Sequence, residues 1–381
     1  MKILFTGDIN FRGKENLTFE ESKKILAEVL PFAKNADFVI PNLECPLADK
    51  EKHKPIKKSG PNLICASENI CFLKALNAYA VTIANNHIGD FGEGAVKDTL
   101  ELLEENNILY AGAGKNVKDA YKACRIEKDG VSVSIISVCE NEFGMATENT
   151  YGSAGYNPKM LLKQIREEKA ESDYVIVVFH GGNEFNPLPS PDTVDRYKFI
   201  CDMGADAIIG GHTHCPQGYE IYDGKPIVYS MGNFLFKSRT EKNPNDSWYY
   251  GYMAILDIKD RISLETVPYK FDTEATKITV FEGDDSTKMM EYINGLCEII
   301  KNPRLLKLYF MGWAWNHQWC PSLPEVYNNL EKYNASGNFN LVSCEAHLSQ
   351  LKEVLWTLHN EETEIAEEWA EKIKELEKMP L

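Results

Sequence analysis

The segment Ala207-Ile-Ile-Gly-Gly-His-Thr-His214 decides the fold, because a short apolar strand in it leads directly into two histidines. The apolar run Tyr174–Phe179 has the same form and leads directly into His180. A helical pattern over Pro191–Met203 separates the two strands, and further strands and helices alternate along the chain up to about residue 270. This alternation predicts an α/β domain over residues 1–270.

Polar side chains follow directly after five of the predicted strands. They are Asp8, Asn42 and Glu44, Asn86 and His87, His180, and the pair His212 and His214. Because loops at the carboxyl ends of strands line the ligand crevice of an open α/β sheet, we expect these side chains to converge. Imidazole, carboxylate and amide ligands without thiolates suit Mn²⁺, Fe or Zn²⁺. Any one of these residues alone could be an ordinary turn residue, but five such strand ends together favour a metal site.

Six motifs, in their order along the chain, resemble those of the CapA proteins. They are Gly7-Asp8, Asn42-Leu-Glu44, Ala84-Asn-Asn-His-Ile-Gly-Asp-Phe-Gly92, His180-Gly-Gly-Asn-Glu184, Gly210-Gly-His-Thr-His-Cys-Pro-Gln217 and Tyr229-Ser-Met-Gly-Asn-Phe234. CapA proteins are poly-γ-glutamate capsule-synthesis proteins and form a branch of the calcineurin-like metallophosphatase superfamily. The resemblance covers about residues 1–260, and it is specific because six motifs occur in the right order.

The resemblance implies a four-layer α/β/β/α metallophosphatase-like sandwich with a two-metal site at the strand ends. By position, it implies one metal held by Asp8 and His214 and a second metal held by Asn86, His180 and His212. A carboxylate from the second strand would bridge the two ions. Divalent Mn, Fe or Zn would be the cofactor, and the substrate would be an anionic small molecule or polymer.

The chain departs from the superfamily pattern at two positions that affect the expected number of metals. Asn10 stands where the superfamily has a histidine two residues after the aspartate. The second motif reads Asn42-Leu-Glu44 in place of Gly-Asp. We expect Glu44 to bridge, since a bridging ligand needs negative charge; the alternative is Asn42, aligned with the bridging aspartate. A two-metal site is expected, and a one-metal site is the alternative. In either case Asn10 and Asn42 are expected to lie beside the metal ligands.

Several side chains are predicted to act beside the metal ligands. The resemblance places His87 outside the ligand set and near the leaving group, to which it could donate a proton. Glu184 lies four residues after His180 and could orient that ligand, and Asp90 lies three residues after His87 and could orient it likewise. For both carboxylates, a helix N-cap or a loop hydrogen bond is an equal alternative. The predicted catalytic set is therefore His87, Asp90 and Glu184, and Asn233 is expected to fix a loop of the site.

The sequence pattern changes after about residue 270, so residues 271–381 are predicted to form a mostly helical, Glu-rich extension. One predicted helical face carries Leu348, Leu351, Leu355 and Leu358. The tryptophans Trp313, Trp315 and Trp319 are expected to pack the core of the extension, with a lid or a partner surface as the alternative. A partner protein could bind through this extension.

The chain carries a formal net charge of −16 from 41 basic and 57 acidic residues, and residues 281–381 account for half of the excess. This charge disfavours binding to nucleic acid or to an anionic membrane, because both depend on basic groups. No apolar run reaches the length of a transmembrane helix, and the N-terminus lacks the apolar core of a signal peptide. We therefore expect a cytoplasmic protein whose ten cysteines are free thiols.

These observations support three hypotheses about function. The first is a metal-dependent hydrolase that acts on a phosphoester or a related anionic bond, in cell-envelope or poly-γ-glutamate metabolism. The second is an accessory protein for capsule or poly-γ-glutamate biosynthesis without phosphatase activity of its own, which rests on the resemblance alone. The third is a non-enzymatic module in which the site has decayed and the acidic helical extension binds a partner.

Overall fold

Two β-sheets form the centre of the protein in the computed structural model, which describes residues 1–14, 16–237, 243–317 and 335–381. The strands are β1 (Lys2–Asn10), β2 (Phe38–Leu43), β3 (Ala80–Thr82), β4 (Leu109–Ala111), β5 (Ala113–Gly114), β6 (Cys124–Lys128), β7 (Val131–Cys139), β8 (Gly152–Ser153), β9 (Tyr174–His180), β10 (Ala207–Gly211), β11 (Tyr219–Tyr222), β12 (Lys225–Val228), β13 (Asn233–Phe236), β14 (Tyr250–Ile258), β15 (Ile262–Phe271) and β16 (Ile278–Val280).

Helices alternate with single strands or groups of strands and continue after the last strand. They are α1 (Phe19–Ile25), α2 (Leu30–Asn35), α3 (Ile70–Ala75), α4 (Gly92–Glu105), α5 (Val117–Ala120), α6 (Pro158–Lys169), α7 (Pro191–Asp202), α8 (Gly283–Ile300), α9 (Pro303–Asn316), α10 (Ala335–Ser343), α11 (Glu345–His359) and α12 (Thr363–Leu376). Short 3₁₀ turns cover Ser67–Asn69 and Ser247–Tyr249. In the described ranges, no helix combines the length and the apolar character needed to cross a bilayer.

The parallel strands of each sheet all end on one side, which is where the predicted site residues lie. In the first sheet the order is β16-β15-β14-β1-β2-β3-β4, with β13 also paired to β1. Strands β1 to β4 are parallel, and β14 to β16 continue that sheet in antiparallel pairs. In the second sheet the order is β11-β12-β10-β9-β7-β6, with β7, β9, β10 and β12 parallel. A short pair, β5 and β8, lies apart from both sheets.

Alternating side chains of β7 separate two hydrophobic clusters, as expected for a strand that is buried on both faces. Val133 and Ile135 join a first cluster that includes residues of both sheets, so the sheets pack face to face. Ile136 and Val138 point to the opposite face and join a second cluster with α6, α7 and α9. Helices α1, α3 and α4 also pack into the first cluster, against the first sheet. The four-layer α/β/β/α sandwich predicted from the sequence is therefore confirmed.

Local sequence signals set several helix starts. A capping box starts α1 at Thr18: its side chain accepts a hydrogen bond from the Glu21 backbone, and the Glu21 side chain accepts one from the Thr18 backbone. Asn157 and Ser190 cap α6 and α7, each just before a proline at the first helical position.

The nine cysteines in the described part of the chain are free thiols.

The C-terminal helices pack onto the sandwich. Met289 and Ile293 of α8 belong to the first cluster, whereas Phe310 and Trp313 of α9 belong to the second. The expected core packing is therefore confirmed for Trp313; Trp315 is half-buried, and Trp319 lies outside the described residues. Strand β16 lies beyond residue 270 and pairs with β15. A division between residues 1–270 and 271–381 stays a prediction.

Candidate metal centre

The histidines and carboxylates predicted as ligands meet in one buried cluster at the strand ends. Strand β9 ends at His180, whose Nε2 lies 3.4 Å from Glu44 Oε1 and whose Nδ1 lies 3.7 Å from Asp8 Oδ1. The loop after β10 brings His212 Nδ1 to 3.2 Å from His180 Nε2. It also brings His214 Nε2 to 3.9 Å from Glu44 Oε1. The convergence expected from the strand ends is thus present.

Two overlapping groups of side chains in this cluster could each hold a metal ion. One group is Glu44, His180 and His212, and the other is Asp8, Glu44 and His214. Within each group the potential ligand atoms all lie within 4.8 Å of one another. Because Glu44 belongs to both groups, it has the position of a shared ligand.

The carboxylate of Glu44 is the observation that fits a cation best. Glu44 is 0% exposed, and neither of its oxygens accepts a hydrogen bond from the described residues. A buried carboxylate without hydrogen bonds is costly unless a cation lies beside it. Burial, followed by the nearby Asp8, raises the pKa of Glu44 well above its ordinary value, although His214 acts in the opposite direction. The donor set therefore fits a divalent metal.

Asn42 lies among the ligands and serves there as a hydrogen-bond donor. Its Nδ2 donates to Asp8 Oδ1 at 2.7 Å and lies 3.3 Å from His180 Nδ1. Its Oδ1 accepts a hydrogen bond from Thr82 at 3.2 Å. The Asn42 amide is thus engaged with Asp8 and Thr82, and the choice of Glu44 as the bridging residue stays a prediction.

The other two predicted supporting asparagines hold ligand-bearing segments in place. Asn10 donates from Nδ2 to the Glu44 carbonyl at 2.8 Å and therefore holds the loop that carries Glu44. Asn233 Oδ1 lies 2.9 Å from His214 Nδ1, and its Nδ2 donates to the Trp248 carbonyl. A hydrogen bond at Nδ1 leaves His214 Nε2 facing Glu44. Asn86 contributes Oδ1 at 3.3 Å from His180 Nε2, within the same cluster.

The surroundings shift the pKa values of the three clustered histidines in different directions. Burial lowers the pKa of His180 and lowers that of His212 well below its ordinary value. Burial also opposes charge on His214, but the surrounding carboxylates, Glu44 first, outweigh it and raise the His214 pKa. Neutral imidazole is the form that ligates metal. A bound cation would therefore replace a proton on His214 as the positive charge that offsets the neighbouring carboxylates.

His87 is held by Asp90, as the sequence predicted for an orienting carboxylate. Its Nδ1 lies 2.6 Å from Asp90 Oδ2, and that oxygen also accepts a hydrogen bond from the Leu63 backbone at 2.7 Å. Lys58 Nζ donates to the other oxygen, Asp90 Oδ1, at 2.5 Å. Burial, together with the charge of Lys58, lowers the pKa of His87 to about 4. His87 is therefore a neutral imidazole at neutral pH.

Residues 49–61 carry five lysines, and the side chain of one of them, Lys58, is buried. The stretch is a loop, but the Lys58 side chain is only 3% exposed because it turns inward to pair with the buried Asp90. The sequence alone does not separate Lys58 from the four other lysines of that loop. Its role becomes visible only through a contact between residues 32 positions apart.

Glu184 occupies a different place from the one expected. It is exposed, while the ring nitrogens of His180 contact Asn42, Asn86 and His212. Orientation of His180 by a Glu184 hydrogen bond therefore does not occur in this geometry. Its negative charge contributes to the raised pKa of His214 and opposes the lowering of the His87 pKa by burial and Lys58; a catalytic role for Glu184 stays a prediction.

The loop after β7 also reaches the site, although the sequence reasoning did not include it. Glu142 Oε1 lies 3.9 Å from His212 Nε2, and burial raises the pKa of Glu142 to about 7. Asn340 of α10 donates to Glu142 Oε2 at 3.3 Å, and Glu345 of α11 accepts two hydrogen bonds from Asn141. The signal was present, because Val131–Val138 is another apolar strand followed by polar residues.

Aromatic side chains form a wall beside His214. The Trp248 ring lies 4.7 Å from the His214 ring, and Phe185 stacks on Trp248 at 5.9 Å. Phe185 has a backbone φ of +62°, which is uncommon for a bulky residue, and its N–H donates to the Thr213 carbonyl at 2.8 Å. An aromatic surface therefore lies directly beside His214.

Comparison with known proteins identifies relatives in capsule synthesis. The chain is 34% identical over 220 residues to the capsule biosynthesis protein CapA of Bacillus anthracis, which covers 56% of this chain and 53% of that protein. It is 32% identical over 237 residues to the PGA biosynthesis protein CapA of Bacillus subtilis, covering 61% of this chain and 62% of that protein. The chain thus spans less than two thirds of the length of either relative.

Solved structures and a family profile complete the comparison. A novel phosphatase from Mycoplasma pneumoniae aligns with a TM-score of 0.42 at 16% identity, over 76% of this chain and 96% of that one. A 5'-nucleotidase-type protein from Staphylococcus aureus aligns with a TM-score of 0.44 at 13% identity, and the alignment covers 79% of this chain and 58% of that one. The profile described as bacterial capsule synthesis protein PGA_cap matches residues 2–238. Because that match covers more than half of the sequence, the chain belongs to the PGA_cap family of bacterial capsule synthesis proteins.

Proposed function

We propose that this chain is a metal-dependent hydrolase that cleaves a phosphoester or a related anionic bond. The observation that carries the proposal is the buried Glu44 carboxylate, which accepts no hydrogen bond within the described part of the chain and is shared by two potential ligand groups. Carboxylate and imidazole groups gathered without thiolates are typical of sites for Mn, Fe or Zn.

The two ligand groups support a pair of ions, with a single ion as the alternative. Asp8 and His214 would hold one ion, and His180 and His212, with Asn86 beside them, would hold the other. Glu44 would be common to both. Divalent ions at such a site polarise a phosphoryl oxygen and lower the pKa of water.

His87 is the residue we assign to proton transfer. With Nδ1 facing Asp90, the nitrogen left to exchange a proton with substrate is Nε2. His87 is neutral in the free protein, and a bound anion would raise its pKa because negative charge favours the imidazolium form. The arrangement therefore suits a substrate that brings negative charge to the site, after which His87 can donate to the leaving oxygen.

The substrate class follows from the relatives, whose names refer to capsule and PGA biosynthesis. We propose an anionic small molecule or polymer of cell-envelope or poly-γ-glutamate metabolism.

The second candidate function is an accessory role in that biosynthesis without hydrolysis. It is favoured by Asn10, which places a neutral amide where the superfamily pattern has a histidine, and by the altered second motif Asn42-Leu-Glu44.

Hydrolysis by metal-loaded protein separates these two functions. Purified full chain would be dialysed against Mn²⁺, Fe²⁺ or Zn²⁺ and assayed with phosphate mono- and diesters. We expect turnover that EDTA abolishes, that Glu44→Gln lowers about 100-fold or more, and that His87→Gln lowers about 100-fold. The exposed Glu265→Gln variant is the control and should match the wild type. Metal-loaded protein that hydrolyses none of these esters would favour the accessory role.

A further inference from the structure

Lys58 is a buried cation directly behind His87. Its Nζ donates to Asp90 Oδ1 at 2.5 Å and to the Asn86 carbonyl at 3.3 Å, and it lies 3.3 Å from His87 Nδ1. Asp90 is 0% exposed, so both charges of the pair are removed from water. A lysine is rarely buried unless it is paired, and removing one partner of such a pair leaves the other charge uncompensated. This placement needs an explanation.

The loop that carries Lys58 is folded around Asp90. The Ile56 backbone donates to the Asp90 carbonyl at 2.9 Å, and Asn62 Nδ2 donates to the same carbonyl at 3.0 Å. The Leu63 backbone donates to the Asp90 side chain. These contacts turn one lysine inward, while the loop's other lysines, Lys50, Lys52, Lys54 and Lys57, are exposed.

The contacts divide the two Asp90 oxygens between different partners. Oδ1 is held by Lys58, and Oδ2 faces His87 Nδ1 and the Leu63 N–H. Lys58 therefore fixes the rotation of the carboxylate that in turn fixes the imidazole. Without the ammonium group, Oδ1 would be a buried acceptor lacking its main donor, and the carboxylate would no longer have one preferred orientation.

We propose that Lys58 is a positioning residue for His87: by holding Asp90, it keeps the proton on His87 Nδ1 and leaves Nε2 for the substrate. The inference rests on the proposed function where it concerns catalysis, but the state of the imidazole can be measured without turnover. The competing role for Lys58 is direct binding of substrate. In that case replacing Lys58 would change KM and leave the tautomer of the His87 imidazole unchanged.

The first measurement uses NMR of protein labelled with ¹⁵N in its histidines, with His87→Gln identifying the signal. Wild-type His87 should be the Nδ1–H tautomer, and Lys58→Met should shift it toward Nε2–H or a mixture. Lys58→Arg should keep the wild-type tautomer because it keeps the charge, and the exposed Lys57→Met is the matched control. An unchanged tautomer in Lys58→Met would overturn the proposal.

The second measurement compares leaving groups in metal-loaded protein. Lys58→Met should lower kcat about tenfold for a phenyl ester, whose poor leaving group needs a proton, and much less for a p-nitrophenyl ester. KM should stay within about twofold for both; a rise in KM with equal kcat loss would assign Lys58 to substrate binding and reject the positioning role. If the wild type shows no turnover, the hydrolase proposal fails, and the NMR result still decides the role of Lys58.

A double variant distinguishes a general folding defect in Lys58→Met from a specific loss of His87 positioning. Lys58→Met combined with Asp90→Asn removes both buried charges, so the double variant should fold at least as well as Lys58→Met alone. It should show the same loss of the Nδ1–H tautomer, because the Asp90 carboxylate is gone. A double variant that is folded and retains the wild-type tautomer would contradict the proposal.

Discussion

Two neighbouring side chains set the character of the site at the scale of single residues. Glu44 provides a buried carboxyl group that accepts no hydrogen bond from the described residues, whereas Asn42 provides a neutral amide that donates to Asp8 and lies beside His180. The first favours a bound cation and the second stabilises the ligands when no cation is present. In the proposed metal centre, the balance between them would determine how strongly folding depends on metal.

Replacing Asn42 with aspartate should make folding more dependent on metal. Asn42→Asp brings a second carboxylate next to Asp8, where the amide now donates at 2.7 Å, so like charges repel in metal-free protein. We expect a lower Tm in EDTA and a larger rise of Tm on adding Mn²⁺, with metal affinity about tenfold higher, equivalent to about 1.4 kcal/mol.

Thermal unfolding in EDTA and in Mn²⁺ checks this expectation. The exposed Asn149→Asp variant controls for the added charge and should behave like the wild type. An Asn42→Asp protein with an unchanged metal-dependent rise of Tm would show that Asn42 does not border the metal.

At the scale of secondary-structure elements, the strand ends were predictable and the loops were not. An apolar strand followed by polar residues is a local pattern, and it located Asp8, His180 and His214 correctly within one cluster. Lys58 reaches the site through contacts with residues far along the chain, which no local pattern encodes. Glu142 carries the same local pattern, because it follows the apolar strand residues 131–138 at a short distance.

Helix packing between α9 and α12 depends on a glycine. A Cβ placed on Gly312 would lie 2.3 Å from the Trp369 carbonyl carbon, so the two helices can approach closely only without a side chain there. Gly312→Ala should lower the free energy of unfolding by about 1–3 kcal/mol, since overpacking outweighs the better helix propensity of alanine.

Gly295→Ala in α8 is the matched control, because a Cβ there meets no atom within 4 Å. It should raise the free energy of unfolding by up to about 1 kcal/mol through helix propensity alone. Urea unfolding of both variants gives the comparison. Equal stabilisation by the two alanines would exclude close packing of α12 on α9.

At the scale of the whole molecule, the C-terminal helices are part of the same hydrophobic framework as the sheets. Helix α8 contributes Ile293 to the first cluster and Leu296 to the second. Helices α10 and α11 contact the loops after β7 and β9 through Asn340, Glu345 and Ala346. The sequence predicted helices here from their periodicity, but their contacts with the site depend on tertiary packing.

A buried carboxyl in this helical layer should make stability depend on pH. Burial raises the pKa of Glu353 above its ordinary value, although its Lys307 partner opposes the rise. A group with a raised folded-state pKa stabilises the protein below its unfolded pKa, and that contribution is lost as pH rises through the folded pKa. Glu353→Gln should therefore gain stability relative to the wild type between about pH 4.5 and about pH 8.

Chemical denaturation at about pH 4.5 and at about pH 8 tests the direction of this change in the free energy of unfolding. The exposed Glu367→Gln variant in α12 is the control, and its difference from the wild type should not change with pH. If Glu353→Gln instead lost stability relative to the wild type as pH rose, the ion pair with Lys307 would dominate over burial.

Metal content, measured by elemental analysis after dialysis against Mn²⁺, Fe²⁺ or Zn²⁺, tests the central claim most directly. The account predicts one or two equivalents of a divalent ion in the wild type, with a loss of at least one equivalent in His214→Ala and in Glu44→Gln. Glu265→Gln should retain the wild-type content. Wild-type protein without stoichiometric metal, or variants with unchanged content, would contradict the assignment of this cluster as a metal centre.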